Sequence, residues 1–288
     1  MTSGEKKFLL AMIHRVDRNG TRWILAKAAE WYARLATGRD VSIFFDEIWI
    51  HRVDDRYLAD SPVFNYFASD IRLWGTLEEA YVNDAADYWF YRYVPKLGDV
   101  IIDVGAGFGT DVCAFSKAVG ASGRVLALEA HPGTFLGLVK TCKWNRLQNV
   151  ICEQVAVMDK SGTVDIQDGE DDKSNAAGTG GGGTVSVPAV TLDDLCEKYL
   201  IQRVDFLKIN IEGAERWALA GMERTLQRTR AIAVACHDFR AQRGDGEHFA
   251  TLDFVQKVLK GKGFVLEVRA NDDRPYVRDH VHGYRDLL

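Results

Sequence analysis

The chain has 288 residues, 47% of them hydrophobic, and a formal net charge of −5. That is enough apolar material for one large domain, or one domain with an appendage, and it excludes a small cross-linked scaffold. The acidic balance gives the molecule as a whole no electrostatic reason to seek nucleic acid, and no apolar run approaches the roughly 20 residues that span a bilayer.

The chain opens on a basic stretch, with Lys6, Lys7, Arg15, Arg18, Arg22, Lys27 and Arg34 against Glu5, Asp17 and Glu30. Phe8, Met12 and Val16, then Ile24, Ala28, Trp31 and Leu35, fall at helical spacing around an Asn19-Gly20 break, which predicts two amphipathic helices. Two readings stand for this pair: attachment to a membrane surface, and packing on the body or on a second subunit, the latter favoured. The start lacks the apolar core and cleavage site of a signal peptide. Ile43-Phe44-Phe45 and Ile48-Trp49-Ile50 predict a short strand pair leading into a loop. Residues 1–75 are thus expected to form a helix-and-strand extension, making acceptor or homodimer contacts, ahead of a main domain over 76–288.

From Asp99 the rhythm becomes regular, with apolar runs of strand length alternating with helical stretches, as in βαβ units around a parallel sheet. Strands are predicted at 100–104, 124–129, 150–154, 204–209, 231–237 and 264–269. The polar, glycine-rich stretch near 168–184 interrupts this rhythm and predicts a mobile excursion between two strands. Cys113, Cys142, Cys152, Cys196 and Cys236 are scattered, with no C-x-x-C pair, so neither a disulfide framework nor a zinc knuckle is expected and a reducing cytoplasm fits.

The most informative segment is Val100-Ile101-Ile102-Asp103-Val104-Gly105-Ala106-Gly107-Phe108-Gly109-Thr110-Asp111. An apolar strand ends in an acid, and three alternate glycines lead into a helix that Thr110 or Asp111 would cap, so a ligand can lie against bare backbone. A dinucleotide fingerprint needs a small residue where Thr110 stands, so the spacing suits a cofactor without phosphates. The second strand ends in Glu129, placed to accept hydrogen bonds from both ribose hydroxyls of a nucleoside. At the third strand, Gln154 offers a partner to an adenine amine, and Val155 and Ala156 an apolar face.

Five blocks in order resemble the FkbM-type methyltransferases: Val100 to Gly107, Glu129-Ala130-His131-Pro132, Gln154-Val155-Ala156-Val157, Val190 to Leu195, and Val204 to Glu215. The resemblance covers about residues 76–270. It implies a doubly wound α/β fold with a mostly parallel seven-stranded sheet, the Rossmann-like class I methyltransferase architecture. It implies S-adenosylmethionine as methyl donor and an O-methyl product on a small-molecule or glycan acceptor. Asp103, Gly105 and Gly107 would then line the methionine moiety, with Ala106, Gly109 and Asp111 also at the cofactor, Glu129 at the ribose, and Lys208, Asn210 and Glu212 at the reacting centre. One departure is Asn210, where the family pattern K-x-D-x-E-G has an acid.

Ligands of parallel sheets bind at the carboxyl ends of the strands, which puts His237-Asp238 beside the reacting centre. A neutral His237 is expected as the base, with Asp238 or Glu212 fixing its tautomer. The alternative is a divalent metal on Asn210, His237 and Asp238, which is not favoured because only one of the three is anionic. His280-x-His282 reads as an exposed strand edge. A noncatalytic S-adenosylmethionine-binding protein and a nicotinamide-dependent oxidoreductase remain as rival functions.

Overall fold

Successive residues of a strand face opposite ways, so a strand that is apolar at nearly every position needs cover on both sides. Val100–Val104 (β4), Arg124–Glu129 (β5) and Val204–Ile209 (β10) are such strands. Ile102, Val104, Leu126, Leu128, Leu207 and Ile209 bury into one core, and Ile101, Val125, Ala127 and Phe206 into a second on the opposite face. The computed structural model describes residues 15–18, 20–59, 77–168 and 183–285, without the side chains of 77–81. The helix predicted around Phe8 and Met12, the loop over 60–75 and the glycine-rich residues 169–182 lie outside the described residues.

The extension begins with Arg22–Thr37 (α1), then Val41–Asp46 (β1), Ile48–Val53 (β2) and Arg56–Ala59 (β3), which form an antiparallel three-stranded sheet rather than the predicted pair. That sheet packs on Pro132–Trp144 (α4): Tyr57 and Ala59 donate their amides to Asn145 Oδ1 and Thr141 Oγ1, each at 3.0 Å. The buried face of α1 is not the one its apolar spacing predicts. Ala26, Ala29 and Ala33 pack inward, and Ile24, Trp31 and Leu35 face out.

Beyond Leu77–Tyr88 (α2), the main sheet adds Val150–Gln154 (β6), Thr229–Ala235 (β11), Val265–Val268 (β12) and His280–Tyr284 (β13). Its order is β12-β13-β11-β10-β4-β5-β6, parallel except for β13, which runs antiparallel to both neighbours. Thr110–Val119 (α3), α2 and α4 contribute to one core. Leu192–Lys198 (α5), Glu215–Ala220 (α6), Glu223–Gln227 (α7) and Leu252–Gly261 (α9), which follows Asp238–Arg243 (α8), contribute to the other. This is a doubly wound α/β fold, with helices covering both faces of a mostly parallel seven-stranded sheet. Ala156–Val157 (β7), Gly162–Gln167 (β8) and Thr184–Val190 (β9) form a small separate sheet, so the glycine-rich stretch joins two antiparallel strands.

One expectation is corrected. His280 and His282 are not at an exposed edge: β13 inserts between β11 and β12, burying both rings, and His280 stacks on Trp89 at 5.0 Å. The cysteines are all free, and Cys142 and Cys152, on successive elements α4 and β6, bring their sulfurs to 3.7 Å. Among the described residues, no helix is long and apolar enough to cross a membrane.

Candidate active site

The chain leaves β4 towards β5 and β6 on one side and returns as β10 on the other, so a crevice opens between the carboxyl ends of β4 and β10. Gly105 sits there with φ +80°, and a Cβ on it would fall 2.0 Å from the Asn210 carbonyl oxygen. Only glycine allows the two strand ends to meet this closely. Gly107 and Gly109 also have positive φ, so the loop turns backbone towards the crevice. Glu129 fixes the loop from beneath: its carboxylate accepts from Gly107 N at 3.0 Å and from His131 N at 2.9 Å. Gly109 is itself the first cap of α3, with no side-chain hydrogen bond, so neither Thr110 nor Asp111 serves as the predicted cap.

Two adjoining cavities share Gly105, Glu129, Asn210 and Glu212. One is a narrow, mainly apolar slot of about 80 Å³ bordered by Val155, Ala156, Met158 and Ile166. The other is a cleft of about 690 Å³ whose walls include Tyr88, Trp89, His237, Arg240, Tyr276 and His280. A hollow of about 820 Å³ at the opposite, amino end of β5 contains none of the predicted site residues. The side-chain oxygen of Asn210 is buried at the junction of slot and cleft and accepts no hydrogen bond among the described residues. Asp103 and Lys208 lie beneath this floor, fully buried, with Lys208 Nζ 2.8 Å from Asp103 Oδ1 and donating to Gly105 O at 2.6 Å. Burial pushes the Asp103 carboxyl up to about 7, against the pull of the Lys208 ammonium.

Glu212 is in the left-handed region, φ +52°, which turns its carboxylate back towards His237 at the end of β11. His237 Nε2 is 3.2 Å from Glu212 Oε1, and Nδ1 is 3.7 Å from Glu215 Oε1, a glutamate with no exposed surface. Burial opposes the charge on His237, but the two carboxylates prevail and raise it to about 9. Burial likewise works against the Glu212 carboxylate, and His237 with Arg240, at 2.5 Å, holds it below the ordinary carboxylate range.

A family model, Methyltransferase FkbM domain, matches residues 103–266. The chain belongs to the FkbM methyltransferase family. Hexuronic acid methyltransferase AglP of Haloferax volcanii is 25% identical over 139 residues, which cover 48% of this chain and 56% of that protein. The 2-O-methyltransferase NoeI of Sinorhizobium fredii is 24% identical over 180 residues, or 56% of this chain and 72% of that protein. Methyltransferase FkbM from Methylobacillus flagellatus KT has the same fold, with a TM-score of 0.50 at 13% identity over 76% of this chain and 54% of that one. The match to AglP thus spans little more than half of that relative.

Within this FkbM methyltransferase, the sequence reading brings Gly105, Gly107, Glu129, Val155, Ala156, Asn210, Glu212 and His237 to the two cavities. It does not bring the rest. Ala106 packs in the core, Asp111 Oδ2 stands 3.8 Å from Lys208 Nζ, and Gln154 at the end of β6 borders neither cavity. Lys208 and Asp103 support the floor and are closed off from solvent. Asp238 turns away from His237, its carboxylate accepting from the amides of Thr251 and Leu252 at 3.0 and 2.9 Å. It therefore neither sets the His237 tautomer nor joins Asn210 and His237 as a metal ligand, and among the described residues no group of three or more His, Cys, Asp or Glu is arranged to hold a metal. Glu215, Arg240, Trp89 and His280 are additions. His280 is kept neutral by burial, at about 3, and its Nδ1 makes no hydrogen bond among the described residues.

A raised folded-state value makes His237 stabilising below its ordinary 6.5, a contribution lost as pH climbs through about 9. Wild-type stability is expected to drop by up to about 3 kcal/mol across that window, and the drop to disappear in His237→Gln. Denaturant titrations at several pH values measure it. A wild-type profile parallel to that of the variant would remove the charge from His237.

Proposed function

We propose that this methyltransferase uses S-adenosylmethionine to methylate a hydroxyl group of a sugar or sugar-like small molecule. The observation that carries this reading is the junction of the two cavities at Gly105, Asn210 and Glu212, where a donor in the slot and an acceptor in the cleft would meet. The residues fit the donor. The slot offers Val155, Ala156 and Ile166 to an adenine ring, and the Glu129 carboxylate, which borders both slot and cleft, suits the hydroxyls of a ribose. Asn210 Oδ1, a buried acceptor without a donor among the described residues, suits the ammonium of the methionine moiety. The names of AglP and NoeI, which describe a hexuronic acid methyltransferase and a 2-O-methyltransferase, support a sugar-like acceptor and transfer to oxygen.

When bound, the donor supplies an electrophilic methyl group on a positively charged sulfur. The chain's part is to align the acceptor oxygen and to take its proton. Tyr88 and Tyr276 line the cleft with aromatic rings that suit the C–H faces of a sugar. Glu212 receives the proton of the reacting hydroxyl, and His237 and Arg240 fix its carboxylate through one oxygen each. This assignment moves the proton acceptor from His237, whose two nitrogens already face carboxylates as an imidazolium, to the neighbouring glutamate.

Glu129→Ala is expected to weaken S-adenosylmethionine binding by about 1.5 to 3 kcal/mol, because two charge-assisted hydrogen bonds are lost. Calorimetry on a variant with wild-type circular dichroism tests this. Unchanged affinity would take Glu129 off the ribose.

A further inference from the structure

Helix α1 turns its small residues inward and its large apolar residues outward. Ala26, Ala29 and Ala33 lie against Val41, Ile43 and Trp49, and that contact fills the inner face. On the other side Trp31 and Leu35 are each 66% exposed, with Trp23, Ile24 and Tyr32 exposed beside them. A 100° rotation per residue puts Ile24, Ala28, Trp31 and Leu35 on one stripe, with Lys27 and Arg34 along its edge. Water is a poor environment for so continuous an apolar stripe.

Charge decides what fits it. The only acid on α1, Glu30, is turned inward, accepting from the Ile43 amide at 2.9 Å and pairing with Lys27. Lys27 remains 70% exposed at its side chain, Arg34 is half exposed and reaches Asp40 at 3.4 Å beyond the helix, and Arg15 and Arg18 are exposed just ahead of it. A two-fold contact between copies would set this cationic rim against itself, with no exposed acid on the helix to answer it. An anionic lipid surface answers both features, taking tryptophan and leucine at the acyl boundary and cations at the headgroups. We propose that the outer face of α1 docks the protein peripherally on an anionic membrane. The face that sequence spacing assigns to packing is thus the face left free for lipid.

Flotation of the full chain with vesicles of phosphatidylcholine alone, or of phosphatidylcholine with phosphatidylserine, tests this. Binding is expected to be at least about tenfold tighter to the anionic vesicles and to weaken as salt is raised. Trp31→Ser/Leu35→Ser, two exposed positions away from both cavities, should abolish flotation and leave the thermal midpoint and S-adenosylmethionine affinity unchanged. Arg15→Gln/Arg18→Gln/Lys27→Gln should remove the preference for phosphatidylserine. Absence of wild-type flotation with either vesicle would overturn the proposal. So would a dimer in sedimentation that Trp31→Ser/Leu35→Ser converts to monomer without any effect on vesicle binding.

Discussion

Lys208→Met is expected to lower stability by about 3 to 5 kcal/mol, the largest effect of any single change beneath the site, because it leaves the Asp103 carboxyl buried without its counter-ion. At roughly 2 °C or more per kcal/mol for a chain of this size, the thermal midpoint should fall by about 6 °C or more. The loss should be deeper at alkaline than at acidic pH, since a protonated Asp103 tolerates burial. Asp103→Asn/Lys208→Met should recover much of it, because removing both charges removes the uncompensated one. Thermal melts of the three proteins decide the matter. If the double variant were no more stable than Lys208→Met, the pair would not be acting as a charge-compensated unit. The consequence for function is indirect: Lys208 also holds Gly105 O, so the glycine loop loses its anchor with the ion pair.

Glu212→Gln is expected to lower kcat and kcat/KM together by about 10²- to 10⁴-fold, the usual range for a positioned proton acceptor, while S-adenosylmethionine still binds. The amide keeps the size of the side chain but cannot take a proton. Because Glu212 is held below the ordinary carboxylate range, the wild-type rate should be level through neutral pH and should decline as His237 loses its proton around 9. A rate that instead rises through that value, with near-normal turnover in Glu212→Gln, would return the base to a neutral His237. Steady-state rates with a competent acceptor across pH distinguish the two.

Much of this was legible in the chain itself, for definite physical reasons. Six strands of the main sheet announce themselves as apolar runs, most plainly β4, β5, β10 and β11, which are buried on both faces and need such runs. The strand β13 does not. His280-Val281-His282-Gly283 is short and polar, and only its insertion between β11 and β12 buries it. The glycine loop and Glu129 were legible because backbone geometry at Gly105 demands the residue type. The charged cluster was not, because Glu215 and Arg240 meet His237 and Glu212 through the packing of β10 against β11. Sequence adjacency misled at Asp238, whose carboxylate faces the amides that open α9. In α1, periodicity told which residues share a face and was silent on which face turns inward.

The central claim is that the crevice between β4 and β10 holds S-adenosylmethionine. Calorimetric titration of the wild-type protein with S-adenosylmethionine, and separately with NAD, tests it most directly. One-to-one binding of S-adenosylmethionine with no heat from NAD is the predicted result, and binding of NAD with none of S-adenosylmethionine would contradict it.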